Sequence, residues 1–123
     1  MPTCGLGESI ARVRDRVREA GWDACVVVGR DRIVLGILRR RELAAGEGED
    51  GPVERFMRPG PSTFRPNVPI EEMAAFMTEH DLTSSPITSS DGRLIGLLVR
   101  DDAVREALEL HGHDHHAHGE GES

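Results

Sequence analysis

Arg39, Arg40 and Arg41 stand in a row, and Glu42 follows them. Adjacent guanidinium groups suit phosphate oxygens, which they bind in bidentate pairs, although such a run also serves as a solvated face. Five histidines, His111, His113, His115, His116 and His118, crowd into eight positions near the C-terminus. Imidazole nitrogens at that density suit Zn, Ni or Cu. Their spacing is irregular, so the cluster has no preformed geometry and reads first as a disordered tail, with any Zn or Ni adventitious. Nucleophilic chemistry finds no support. Cys4 and Cys25 lack a CxxC spacing, and no histidine occurs in the first 79 residues to act as a base. Neither serine–histidine nor paired-carboxylate arrangements stand out, so the chain is expected not to be an enzyme and to require no cofactor.

Composition narrows the partners. The 123 residues carry a formal net charge of -7, with 37% hydrophobic and 30% charged residues. That is one domain's worth of chain with an ordinary soluble balance. An acidic surface is unsuited to phosphate backbones, and the scarce aromatics (Trp22, Phe56, Phe64, Phe76) offer few platforms for stacked bases. Nucleic acid is therefore not expected as a partner. No apolar stretch of membrane-spanning length and no leader pattern occurs, so the expected location is cytoplasmic, without membrane association. The charge is uneven. Residues 1–45 hold nine Arg against six acids, and residues 46–123 hold six Arg against sixteen acids.

The elements that must position the arginines are written twice. Shifted by sixty places, residues 3–43 align with 63–103 without a gap. Thr3 falls on Thr63, Ile10 on Ile70, Asp31 on Asp91, Gly36 on Gly96, Leu38 on Leu98 and Arg40 on Arg100. Such self-similarity marks a structural duplication.

Each repeat begins with a short extended piece, "PTC" or "STF". An amphipathic helix follows, with Ile10, Val13 and Val17 on one face in the first repeat and Ile70, Met73, Ala74 and Met77 in the second. The alternating "RVRDRVR" alone would suit a strand, but that pairing buries Asp15 between valines, and the second repeat does not alternate. Pro69 is placed in the first helical turn, with Glu71 and Glu72 near the positive end of the dipole. Two short apolar runs come next in each repeat, "ACVVV" with "IVLGIL" and "SSPIT" with "RLIGLL". Polar turns join them, and Asp91-Gly92 is a hairpin signal. A second helix closes each repeat, with Val104, Ala107 and Leu108 on one side in the second. "GEGEDGP" reads as a flexible acidic linker and "VERFM" as a short helix. Gly36 and Gly96 are expected to mark close backbone approach.

This layout, the linker "VERFMRPGPSTFRPNVPIEEM" and the ends "GILRRRE" and "GLLVRDD" resemble a tandem pair of CBS (cystathionine-beta-synthase-type) domains, a stand-alone Bateman module. The resemblance covers roughly residues 2–110. It implies an α+β fold of two β-α-β-β-α units, with small sheets packed around a pseudo-twofold axis. The bounds are 2–45 for the first motif, 46–61 for the linker, 62–110 for the second motif and 111–123 for the His-rich tail.

What the resemblance implies for function is a non-catalytic regulatory module. An adenosine-containing ligand (AMP, ADP, ATP or S-adenosylmethionine) would bind in a cleft between the repeats. The family's pattern of Gly, two apolar-type positions, Thr or Ser, two variable residues and Asp falls on Gly96 to Asp102. Asp102 keeps the ribose-binding carboxylate, Val99 replaces the hydroxyl, and Arg100 lies between them. The base slot corresponds to Thr83, Ser84, Ser85, Pro86 and Ile87, with Thr63 on the entering strand. In the first repeat Arg39 replaces the hydroxyl and Glu42 the Asp, while Arg40 and its neighbours remain available to phosphates. A homodimer formed by helices and an unidentified regulated protein are the expected partners. The alternative is a ligand-free dimeric interaction scaffold of the same fold, which the loss of Thr or Ser in both repeats supports.

Overall fold

The computed structural model describes residues 2–45 and 48–110. The five tail histidines lie outside the described residues. Element order is β1 (Thr3–Gly5), α1 (Ile10–Ala20), β2 (Cys25–Val28), β3 (Val34–Leu38) and α2 (Arg40–Ala45), then α3 (Val53–Phe56), β4 (Arg58–Pro59), α4 (Ile70–Glu79), β5 (Ser84–Thr88) and β6 (Leu94–Val99). A last helix, α5, covers 100–110.

The apolar periodicity decides α1. Ile10, Val13 and Val17 are buried on one face, and Ser9 caps the start by accepting the Arg12 amide. Gly21 ends the helix in the left-handed region, with its amide on Arg18 O and that of Trp22 on Val17 O. In α4, Met73, Ala74 and Met77 take the same inward positions. Pro69 sits one residue earlier than expected. It is the N-cap, with extended backbone, so the helix begins at Ile70.

The duplication extends to hydrogen-bond register. On the first hairpin Cys25 pairs with Leu38, Val26 with Ile37 and Val27 with Gly36, and a bulge follows Val27. On the second, Ser85 pairs with Leu98, Pro86 with Leu97 and Ile87 with Gly96, and the bulge follows Ile87. Every pair is the other moved by sixty places.

The repeats differ at their edges. The first sheet has order β1-β2-β3-β4, whereas the second holds only β5-β6. The expected strand at "STF" contracts to one parallel bridge, in which Phe64 donates to Pro86 O and accepts from the Thr88 amide. The linker supplies what the sequence did not announce. Arg58 and Pro59 form β4 and pair with Ile37 and Gly36. Gly36 is required there, because a Cβ would lie 2.5 Å from Met57 Sδ and 3.0 Å from Arg58 O. Gly96 answers differently: a Cβ there would meet no atom within 4 Å, so close approach explains only the first of the pair. Accordingly Ile37 and Leu38 are fully buried, while Leu97 and Leu98 are only half-buried.

Nor is the described part of the linker loose from Asp50 onward. Asp50 accepts the Ser9 hydroxyl at 2.6 Å, Gly51 O accepts the Ile10 amide, and Glu54 accepts the Gly7 amide at 2.8 Å. These bonds fasten the linker to the start of α1. Two cores result, one around Ile10, Val13, Val27, Leu38 and Val53, the other around Phe64, Met73, Met77 and Ala103. Full burial of each Val or Leu side chain contributes roughly 1.5–3 kcal/mol over exposure. On α5 the inward residue is Ala103. Val104 and Ala107 are half-buried, and Leu108, expected on the packed side, is 65% exposed.

Candidate functional site

The ends of β3 and β6 deliver their following residues to one cleft, of about 440 Å³. Arg39, Arg40, Arg41 and Glu42 come from the first repeat, and Val99, Arg100 and Asp101 from the second. Asp23, His80, Asp81, Leu82 and Thr83 contribute from the loops after α1 and α4, and Arg58 from β4. Arg39 and Val99, Arg40 and Arg100, and Asp23 and Thr83 are equivalent positions, so the cleft straddles the pseudo-twofold axis.

Five arginines meet four carboxylates in this cleft. Arg40 pairs with Asp23 at 2.7 Å and Arg100 with Asp81 at 2.9 Å; Arg40 and Asp81 are exposed, whereas Arg100 is half-buried. Among the described residues neither Arg41 nor Arg58 has an ion-pair partner. Glu42 turns back on its own helix and accepts the Arg39 amide at 2.8 Å, as in a capping box. The wall therefore carries a slight positive excess, and its guanidinium groups are of the kind that bind anions in bidentate pairs.

Arg39 is half-buried, and its Nη2 and Nε donate to Ser84 O at 2.6 and 3.2 Å. Burial lowers its pKa from the ordinary value, the Glu42 carboxylate offsets part of this, and the nearby Arg58 charge adds to it. It remains a cation, as guanidinium groups in proteins do. Ser84 and Ser85 also carry buried hydroxyls without a hydrogen-bond partner among the described residues. Unmade bonds of that kind are costly, and at Ser84, which borders a cavity, a bound polar group would remove the cost.

A second cavity, of about 380 Å³, is lined by Pro2, Gly21, Trp22, Asp23, Ala24, Ser84, Leu97 and Val99. Its walls are largely apolar. Asp23 and Val99 belong to both cavities. An apolar slot beside a cationic groove, with a carboxylate at the junction, can take a flat apolar ring at one end and an anionic group at the other.

Of the residues picked out in the sequence, the structure brings Arg39, Arg40, Arg41, Glu42, Thr83, Val99 and Arg100 together around the first cleft, and Ser84 joins Val99 in the second cavity. Thr63, Ser85, Pro86, Ile87 and Asp102 line neither cavity. Ser85 and Pro86 are buried in β5, Thr63 and Ile87 are half-buried, and the exposed Asp102 carboxylate pairs with Arg105 at 2.7 Å. Sequence reasoning passed over Asp23, Trp22, Arg58 and His80. The repeat offered one signal, since Asp23 and Trp22 are the equivalents of Thr83 and Leu82 at the start of the anticipated base slot. The cysteines make no site: both thiols are buried. A hydrogen bond with Cys25, and then burial, pushes the Cys4 thiol far above its usual range.

Comparison with known proteins places this geometry in a class. The family model of the CBS domain matches residues 53–109. A structure of CBSX2 in complex with AMP superposes with a TM-score of 0.81 at 22% identity, covering 89% of each chain. The CBS domain pair of protein MJ0100, in complex with 5'-methylthioadenosine and S-adenosyl-L-methionine, gives a TM-score of 0.77 at 17% identity, covering 85% of this chain and 86% of that one. The inosine-5'-monophosphate dehydrogenase of Korarchaeum cryptofilum is 30% identical over 96 residues, which are 77% of this chain and 20% of that enzyme. The chain spans between 20% and 65% of the length of the curated relatives it matches. Residues 53–109 thus match a CBS domain, and the chain carries the fold of a CBS domain pair.

Proposed function

We propose that this CBS pair is a non-catalytic regulatory module of the cytoplasm that binds a phosphorylated adenosine compound between its repeats. One observation carries the reading: the apolar cavity and the arginine cleft share Asp23 and Val99. The adenine ring takes the slot between Trp22, Ala24, Leu97 and Val99, and the phosphates lie toward Arg40, Arg41, Arg58 and Arg100. Asp23 stands at the junction for the ribose hydroxyls, whereas Asp102, on the first turn of α5, lines neither cavity and would have to leave Arg105 to reach them. The cationic wall favours AMP, ADP or ATP over S-adenosylmethionine, whose sulfonium is itself a cation. The relatives crystallised with AMP and with S-adenosyl-L-methionine support adenosine as the common element.

The pair is further proposed to form a homodimer through its helices. Ala74, Ala75 and Thr78 of α4 and Val104, Ala107 and Leu108 of α5 wall an apolar groove, and Leu110 beyond it is 46% exposed. An apolar face of this kind suits an isologous contact.

A thermal-shift series tests the ligand reading. The melting temperature should rise with AMP, ADP or ATP, because a ligand that binds only the folded state stabilises it by mass action. No rise with any of these nucleotides at millimolar concentration would instead favour the ligand-free scaffold.

A further inference from the structure

The two repeats are equivalent in register yet treat their clefts in opposite ways. At the end of β6 stands Val99, whose equivalent at the end of β3 is Arg39. Opposite Val99 lies Ala24, whose equivalent opposite Arg39 is Ser84. Around Val99 and Ala24 the structure holds an apolar cavity, with Trp22 and Leu97 in its wall. Around Arg39 and Ser84 the arginine itself lies across the matching strand end, with Nη2 2.6 Å and Nε 3.2 Å from Ser84 O, while Asp81, Leu82 and Thr83, the equivalents of Gly21, Trp22 and Asp23, border the open first cleft. The equivalent of Leu97 is Ile37, which is fully buried. Glu42, at the position of the ribose carboxylate, is engaged by the Arg39 amide at 2.8 Å.

Resting on the adenosine-binding reading above, we propose that the first repeat's cleft is closed by the chain itself. Arg39 acts as a built-in occupant, and the protein takes one nucleotide per chain, in the second repeat's cleft. A guanidinium donating two bonds to a backbone carbonyl at the strand end is a planar, polar-edged group. It offers to Ser84 O the kind of donor that the exocyclic amine of adenine would offer. Val99 has no donor, so the corresponding slot stays open. The substitution that removes the hydroxyl of the family's pattern thus has opposite consequences in the two repeats: a valine leaves the strand end free and an arginine lies across it.

Calorimetric titration with AMP tests this on the parent chain, Arg39→Ala and Val99→Arg. The parent should bind one AMP per chain and Arg39→Ala two. Val99→Arg, which gives the second cleft the same plug, should lose binding altogether. Two sites in the parent would overturn the closure, as would a single site in an Arg39→Ala variant that melts cooperatively. Where Arg39→Ala does not fold, undiminished binding by Val99→Arg would overturn it. Absence of AMP binding by both the parent and Arg39→Ala would overturn the adenosine reading as well. That outcome is told apart from failure of the closure alone, in which the parent still binds.

Discussion

Ile33 and Arg93 hold the same position in the two repeats, and they form an antiparallel bridge with each other. The Val34 amide donates to Gly92 O beside it at 3.0 Å. A residue can bridge its own equivalent only where a twofold relation passes between them, so this pair marks the pseudo-twofold axis where the turns of the two hairpins meet. At the other ends of the hairpins, the same relation brings Arg39 and Val99, and Arg40 and Arg100, around one cleft. The symmetry builds the site, and substitutions at equivalent positions give it direction.

Asp23 and Asp102 are the two candidates for the proposed ribose contact. Asp23 borders both cavities, whereas Asp102 matches the sequence pattern but pairs with Arg105 at the surface. Charged hydrogen bonds contribute about 1.5–3 kcal/mol, or about tenfold or more in affinity. Asp23→Ala is expected to weaken AMP binding by that factor and Asp102→Ala by less, read by titration calorimetry. The reverse order would return the ribose role to Asp102.

The two glycines of the repeat are expected to respond unequally. Gly36→Ala drives a Cβ against Met57 and the Arg58 carbonyl, and overpacking of this kind costs about 1–3 kcal/mol. Gly96→Ala meets open space and should change stability little. Urea unfolding of both variants checks this, and equal losses would contradict the role given to β4.

Stability should fall in acid through the linker's carboxylates. The Ser9 hydroxyl and then the Gly51 amide hold Asp50 below its ordinary 3.8, and the Gly7 amide holds Glu54 below 4.5. A folded pKa below the unfolded one adds stability that is present above the unfolded value and lost as pH falls through the folded one. Asp50→Asn with Glu54→Gln should therefore flatten the loss of stability as pH drops through and below those ordinary values. Denaturation midpoints measured across that range would show an unchanged slope if the fastening bonds contribute nothing.

Light scattering at micromolar concentration should give the mass of a dimer. Leu108→Glu places a charge on the apolar groove of α4 and α5 and should shift the mass toward the monomer. A dimer unaffected by this change would place the interface elsewhere.

Much of the fold was legible because duplication and periodicity act locally. Helix faces at Ile10, Val13 and Val17, the paired hairpins and the short helix at Val53 all follow from patterns within a few residues. Strand β4 did not, since Arg58 and Pro59 carry no strand pattern. They pair because Gly36 leaves room, a relation between residues 22 positions apart. The site was legible in part for the same reason. The arginines and Val99 stood at motif ends, whereas Asp23 and Trp22 enter the cavity only through the packing of one repeat's loop against the other's strand. That Arg39 would reach across to Ser84, rather than face an incoming phosphate, depended on a distance no spacing reveals.

In the proposed complex one ligand places its base in the apolar cavity and its phosphate against the arginines. Paired titrations of AMP and adenosine at low and high salt separate the two contacts. Surface charge interactions weaken as the screening length falls from about 10 Å at 0.1 M to about 3 Å at 1 M salt. AMP should bind about tenfold or more tightly than adenosine at 0.1 M salt, and most of that advantage should disappear at 1 M. Equal affinities for the two at low salt, or no binding of either, would contradict this arrangement.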